Sequence, residues 1–103
     1  MADADKLRDA NPWHPMKDAV DVKTIGKFLE ELGECVSAAA RALIQGIDEC
    51  EPVTGKPNRK WLEDELADLK TNTGLVIERF KLQVDEERVE RKRQHLQQWH
   101  NLA

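Results

Sequence analysis

The sequence predicts a small all-α protein with two long antiparallel helices and a third, strongly charged helix. Along two separate segments, apolar residues recur at three- and four-residue steps, which is the spacing of one helix face. No segment alternates apolar and polar residues as a half-buried β-strand would. The prolines, which break helices, lie before the first of these segments and between the first and the second.

The chain is expected to begin with an extended arm over residues 1–18. Pro12 and Pro15 break any helix in this stretch and restrict the residues that precede them. Between these prolines stand Trp13 and His14, the arm's candidates for contact with a ligand.

The first helix is predicted from about Val20 to Gln45. Asp18 or Asp21 is placed to cap its start, and Gly46 is placed to end it. The apolar stripe of this helix consists of Ile25, Phe28, Leu29, Leu32, Val36, Ala39 and Leu43.

A polar loop over residues 46–60 separates the first helix from the second. The second helix is predicted from about Asn58 or Arg59 to Phe80. Its apolar stripe consists of Leu62, Leu66, Leu69, Val76, Ile77 and Phe80. Gly74 weakens this helix by roughly 1 kcal/mol relative to alanine and is a candidate for a close helix contact.

A third helix is predicted over residues 85–99, and the whole chain, residues 1–103, forms one domain. A chain of 103 residues, 40% of them hydrophobic, is too short for two domains. Because so small a chain buries little apolar area alone, we expect a homodimer or homotetramer to complete the core.

Charge and hydropathy argue against nucleic-acid and membrane partners. The net charge is −4, whereas a dedicated nucleic-acid binder carries a basic face. The basic residues of the third helix alternate with acids, which is typical of an exposed, ion-paired helix. No apolar run approaches the roughly 18 residues of a membrane span, and the N-terminus lacks the order of a secretory signal. A cytoplasmic protein is therefore expected.

Acidic residues at helical spacing mark the candidate site. Glu31 and Glu34 lie three residues apart on the first helix, and Glu65 and Asp68 do so on the second. Residues three apart are neighbours on a helix surface. At about 100° per residue, both pairs stand at the margin of the apolar stripe, so packing of the two stripes would bring four carboxylates together.

A divalent cation is the predicted counter-charge for these acids. Like charges repel, and burying an ionised carboxylate is costly unless it is paired or binds a metal. Lys27 and Arg41 are the cations near this face of the first helix, and neither is expected to be central. Mg²⁺ prefers oxygen ligands and substrate phosphates. The alternative is that these four carboxylates belong to ordinary surface acids, since Asp and Glu make up 20 of the 103 residues.

The paired motif resembles that of the MazG-like all-α nucleoside triphosphate pyrophosphatases, E-E-x-x-E on one helix and E-x-x-D on the next. Here the two motifs read Glu30-Glu31-x-x-Glu34 and Glu65-x-x-Asp68, with no departure in residue type. The resemblance covers roughly residues 11–100.

This resemblance implies that Glu31, Glu34, Glu65 and Asp68 bind Mg²⁺, for which Mn²⁺ substitutes, with about two or three ions per site. Glu30 would bind a further ion or help to activate the attacking water. The water would attack the α-phosphorus of the nucleotide and release pyrophosphate.

The loop over residues 46–59 looks like that of a bacteriophage branch of the family, the MazZ-type dATP/dGTP diphosphohydrolases. This branch implies a purine dNTP as substrate, dGMP supplied for 2-aminoadenine DNA synthesis, and location in the host cytoplasm. Three alternatives stay open: a house-cleaning pyrophosphatase for other or modified nucleotides, a non-catalytic helical module whose acids bind a basic partner, and a basic-helix nucleic-acid protein.

Further residues are candidates for contact with the nucleotide. Trp61 would stack on the base or be a core aromatic, and Asn72 would hydrogen-bond the nucleotide. In similar family members, aromatic and histidine residues at the place of Trp13 and His14 close over the base, although His14 is equally read as an exposed polar residue. The candidate phosphate-binding cations, from this chain or a neighbouring subunit, are Lys27, Lys56, Arg59 and Lys60.

Overall fold

The computed structural model describes residues 12–102 and contains three helices in that range. They are α1 (Ala19–Gln45), α2 (Asn58–Phe80) and α3 (Glu86–Leu102). The described residues form no strand beyond one isolated β-bridge between Cys50 and Pro57. The predicted all-α class is therefore confirmed. Of the predicted arm, residues 12–18 have no regular secondary structure, and residues 1–11 lie outside the described range.

Helix α1 begins and ends at residues with the capping chemistry that the sequence suggested. The Asp18 carboxylate accepts hydrogen bonds from the backbone N–H groups of Val20 and Asp21, at 2.9 and 3.0 Å. At the other end, Gly46 has φ 107° and donates its N–H to the Ala42 carbonyl at 3.0 Å. Of the two candidate caps, Asp18 is the one used.

Helices α1 and α2 run antiparallel and are joined by polar contacts at both ends. At one end the buried Asn58 amide donates to the Gln45 side-chain oxygen at 3.1 Å and to the Gly46 carbonyl at 3.0 Å. At the other end the Arg79 guanidinium pairs with Asp21 at 2.7 Å and with Asp18 at 3.1 Å. The start of α1 therefore lies beside the end of α2.

Much of the predicted apolar stripe of α1 lies outside the contact with α2. Among the described residues, the buried apolar side chains are only Ala38 and Val76. Leu29, Val36 and Leu43 are 60%, 67% and 87% exposed. The stripe of α1 therefore packs on α2 only in part in this single chain, because the buried residues of α1 are Glu31 and Ala38.

Two other local expectations for α2 are corrected. Leu66, predicted in the buried stripe, is 50% exposed. Gly74 is exposed, and a Cβ added there would meet no atom within 4 Å. Since no neighbouring backbone approaches it, Gly74 does not mark a close helix contact.

Helix α3 packs on neither α1 nor α2, and every residue from 86 to 101 is exposed. It extends to Leu102, three residues beyond its predicted end. The radius of gyration is 20.0 Å, against about 13 Å for a compact chain of this length. In the described part of the chain, no helix is both long and apolar enough to cross a membrane.

Candidate metal centre

Three of the predicted acids meet between α1 and α2. Glu31 is 6% exposed and faces α2. Glu65 and Asp68 approach it from one face of α2, and each of the three offers a carboxylate oxygen within 4.8 Å of the other two. The i, i+3 spacing on α2 aligns its two acids, and the antiparallel packing supplies the third from α1.

This cluster holds more negative charge than Lys27, the cation that pairs with Glu31, can balance. Lys27 lies 3.3 Å from one Glu31 oxygen and 3.4 Å from Glu30. Side-chain hydrogen bonds to Glu31 and then to Glu30 raise the pKa of Lys27. The expectation that Lys27 is not central is therefore wrong, because one turn of helix places its ammonium beside the buried carboxylate.

Two carboxylate oxygens in the cluster are buried without a donor. One is Oε2 of Glu31 and the other is Oε2 of Glu65. A buried acceptor that makes no hydrogen bond carries a desolvation penalty of about 1–3 kcal/mol, and more if it is charged. Hard oxygen donors converging from two helices fit Mg²⁺ or Mn²⁺, which would use the lone pairs that no protein group uses.

Glu34 and Glu30 stand on the rim and do not join the three-acid cluster in the single chain. Glu34 is exposed, and its pKa is raised by the negative charge of Glu31, then by desolvation, then by Glu65 and Glu30. Glu34 is therefore within electrostatic reach of the cluster. Glu30 is half-exposed and pairs with Lys27.

Two cavities of about 490 Å³ each lie along the groove between α1 and α2. The loop-side cavity is lined by Glu30, Gly33, Glu34, Ser37, Arg41, Trp61 and Glu65. The arm-side cavity is lined by Lys23, Thr24, Lys27, Asn72, Leu75, Glu78 and Arg79. Of the cluster acids, Glu65 lines the loop-side cavity, and Asp68 lies between the two sets in position along α2. The cluster therefore adjoins the loop-side cavity and lies next to the arm-side cavity.

Trp61 lies in the wall of the loop-side cavity with two cations over its ring. The Arg41 guanidinium carbon is 5.0 Å from the ring centroid, and the Lys56 ammonium is 4.2 Å from it. The indole Nε1 is buried and has no hydrogen-bond partner. Base stacking by Trp61 stays a prediction, and it would require Arg41 or Lys56 to move away from the face of the Trp61 ring.

Three of the predicted phosphate-binding cations pair with acids outside the cluster. Lys56 and Lys60 both contact Asp64, at 2.8 and 2.9 Å. Arg59 contacts Asp48 at 2.7 Å. The structure therefore does not bring these cations to the three acids, and phosphate binding by them stays a prediction.

The remaining candidates lie toward the arm. The Asn72 amide donates to the Asp68 backbone carbonyl at 2.9 Å, and Asn72 lines the arm-side cavity. Trp13 is 79% exposed and His14 is exposed as well. Neither arm residue lines one of the two cavities, so their closure over a base is not observed here.

Arg41 and Ser37 line the loop-side cavity. The sequence placed Arg41 near this face of the first helix but not at its centre, and it did not single out Ser37. Arg41 follows Glu34 by seven residues, or about two turns, and so shares its face. No role was expected for Arg41 because a lone arginine on a charged helix is usually solvated.

No protein-family model matches this chain, and neither a curated protein nor a solved structure matches it. The likeness to MazG-like pyrophosphatases therefore depends on the motif residues alone.

Proposed function

We propose that this protein is a magnesium-dependent nucleoside triphosphate pyrophosphohydrolase. The observation that carries the proposal is the buried Glu31, whose Oε2 has no hydrogen-bond partner and whose carboxylate meets those of Glu65 and Asp68. Acids placed this way are costly without a counter-charge. A divalent cation bound by oxygen ligands relieves that cost and recruits a phosphate substrate at the same place.

Each acid has a role in this proposal. Glu31, Glu65 and Asp68 hold the metal, which when bound would polarise the α-phosphate and offset the charge on the departing pyrophosphate. Water forms a bond to the α-phosphorus, and the bond from that phosphorus to the bridging oxygen breaks. The bridging oxygen leaves with the electron pair as pyrophosphate. The proton of the water passes to a rim carboxylate, Glu34 or Glu30, as in general-base catalysis.

The proposed substrate is a purine dNTP, dGTP or dATP, converted to the dNMP and pyrophosphate. This choice of substrate depends on the likeness of the loop over residues 46–59 to the MazZ-type branch. The same likeness suggests that the product dGMP is supplied for the synthesis of phage DNA that contains 2-aminoadenine. Hydrolysis of other or modified nucleotides uses the same site chemistry and differs only in the base that the cavities accept.

We also propose that the active form is a homodimer or homotetramer. Val22, Leu29, Val36 and Leu43 recur every seven residues along α1, and each is at least 49% exposed. At about 100° per residue, they lie well over 90° from Glu31 around the helix. A second copy could therefore cover this stripe and leave the acids accessible from the opposite side.

The test is hydrolysis of each dNTP by purified protein with and without Mg²⁺, with separation of the nucleotide products. We expect equal amounts of dNMP and pyrophosphate, formed only with metal. Glu31→Gln and Asp68→Asn should each remove nearly all activity while the helical content is kept. Glu63→Gln is the matched control, since Glu63 is exposed on the opposite side of α2 from Glu65. Accumulation of dNDP, or full activity in Glu31→Gln, would count against the proposal.

A thermal melt separates the enzyme from a non-catalytic helical module. Ligands that bind only the native state raise its stability. The enzyme should melt at a higher temperature with Mn²⁺ and dGTP, and the shift should be absent in Glu31→Gln. A module whose acids bind a basic protein would show no shift with the nucleotide.

A further inference from the structure

Arg41 is the only cation that lines the loop-side cavity in the described chain. Its Nε is buried and has no hydrogen-bond partner, and no described carboxylate lies within ion-pair distance of it. Lys27, by contrast, already pairs with Glu30 and Glu31. The Arg41 guanidinium is therefore not ion-paired, and it lines a cavity that adjoins the candidate metal centre.

The charge of Arg41 acts on the carboxylate of Glu51, but Glu51 forms no ion pair with the guanidinium. Its pKa is lowered first by the backbone hydrogen bond from Val53, then by Thr54, and only last by the charge of Arg41. Both Glu51 oxygens already accept hydrogen bonds from Val53 and Thr54, at 2.7 to 3.0 Å. Glu51 thus stabilises the loop, and the guanidinium donors stay available.

Trp61 holds this guanidinium in place. The Arg41 guanidinium carbon lies 5.0 Å from the centroid of the Trp61 ring. Stacking on an aromatic face uses the flat side of the guanidinium and leaves its in-plane N–H groups free for a bidentate contact with an oxyanion. Lys56, 4.2 Å from the same ring, adds positive potential at this end of the cavity.

The position of Arg41 suits the far end of a triphosphate. It lies ten residues beyond the cluster acid Glu31, which is about 15 Å along α1, and side chains of a helix tilt toward its N-terminus, here toward the cluster. The other lining groups include the carboxylates of Glu30, Glu34 and Glu65, which repel an anion unless a cation intervenes. Within the loop-side cavity, a phosphate chain that begins at the metal cluster would therefore find its positive partner at Arg41.

We propose that Arg41 binds the β- and γ-phosphates of the substrate, so that the loop-side cavity holds the pyrophosphate half of the nucleotide. This inference rests on the proposed function of the site. The nucleoside half then extends into the arm-side cavity, where Thr24, Asn72 and Leu75 are the uncharged lining residues. Arg41 binds and orients the leaving group, and it is distinct from the acids that hold the metal.

The test is the binding of inorganic tripolyphosphate to the Mn²⁺-loaded full chain, measured by calorimetry. Tripolyphosphate has neither a nucleobase nor a sugar, so its binding reports the contacts to phosphate alone. Wild type should bind it only with Mn²⁺. Arg41→Gln should weaken this binding about ten- to a hundredfold, as expected for lost charge-assisted hydrogen bonds. Arg41→Lys should recover part of it because the charge is kept, and Arg88→Gln, on exposed α3, should bind like wild type.

Separate readouts distinguish failure of this inference from failure of the proposed function. Mn²⁺ affinity, measured by electron paramagnetic resonance, should be the same in wild type and Arg41→Gln, and the KM should rise alike for all dNTPs. Unchanged tripolyphosphate binding in Arg41→Gln, or a change of KM for one base only, would overturn the role of Arg41. Wild type that binds no Mn²⁺ would overturn the proposed function, and this inference with it.

Discussion

At Glu31, one carboxylate oxygen faces Lys27 at 3.3 Å, and the other is buried without a donor. A buried oxygen of this kind costs free energy in the protein alone. The two other acids of the cluster, Glu65 and Asp68, add repulsion and not a hydrogen bond. The local chemistry is therefore incomplete without a cation, which is why Glu31 is central to the proposed function.

Asp18 allows a prediction about pH at the residue scale. The backbone N–H of Asp21 is the leading cause that lowers the pKa of Asp18 from 3.8, with further lowering by Val20 and Arg79 against an opposing desolvation effect. Because its pKa is lower in the folded state, the charged carboxylate stabilises the fold above about pH 4. That contribution is lost as the pH falls through the folded-state pKa. Asp18→Ala should therefore lower the urea midpoint at pH 7, and the difference from wild type should shrink toward pH 3.

Asp18→Asn is the control for this effect, since an asparagine side chain can still cap the helix but carries no charge. It should be more stable than Asp18→Ala at pH 7. Equal loss of stability in Asp18→Ala at pH 7 and pH 3 would contradict the account of this cap.

At the same scale, three of the four acids that the sequence predicted to meet do so, whereas Glu34 stays on the rim. The sequence did not predict which cations accompany them. The spacing of Glu65 and Asp68 on one helix face is sufficient to align them, and Glu31 follows from antiparallel packing. The partner of Arg41 could not be predicted, because Trp61 lies on another helix. Nor could spacing alone show that Asp64 recruits Lys56 across the loop.

At the scale of the elements, the bounds of α1 and α2 were predicted closely because local chemistry determines them. Asp18 caps the start of α1, and Gly46 ends it with a positive φ. The face on which two helices pack is a tertiary property. A stripe as wide as that of α1 can be buried by rotation to either side, so the exposure of Leu29 and Leu43 was not predictable from periodicity.

The loop between α1 and α2 provides a prediction with a matched pair of variants. Gly46 has φ 107°, and a Cβ there would come within 3.1 Å of Glu49 Cγ. Gly55 has φ 76°, and a Cβ there would meet nothing within 4 Å. Each alanine should cost about 1–3 kcal/mol of backbone strain, and Gly46→Ala should cost more because it adds a contact. Urea unfolding measures both, and a larger loss in Gly55→Ala would contradict this reasoning.

At the scale of the whole molecule, the single chain buries few apolar side chains completely. Only Ala38 and Val76 are buried apolar residues in the described range, and α3 packs on neither long helix. Small domains are marginal even when compact. Assembly of copies through the exposed stripe of α1 is the simplest way to bury more of this surface.

This leads to a prediction about oligomeric state. Leu29 and Val36 are 60% and 67% exposed within the exposed stripe of α1. Leu29→Glu or Val36→Glu would place a charge in the proposed interface, so either should shift the protein toward monomer in sedimentation and lower its melting temperature. Val53→Glu is the control, because Val53 is 90% exposed in the loop. A wild-type protein that is monomeric and melts cooperatively would contradict the proposed assembly.

The convergence of Glu31, Glu65 and Asp68 on a divalent cation is tested most directly by anomalous diffraction from crystals soaked in Mn²⁺. We expect an anomalous peak between the two long helices, in contact with oxygens of all three acids. An absence of manganese at this place, with the acids turned apart into solvent in the native assembly, would contradict the account.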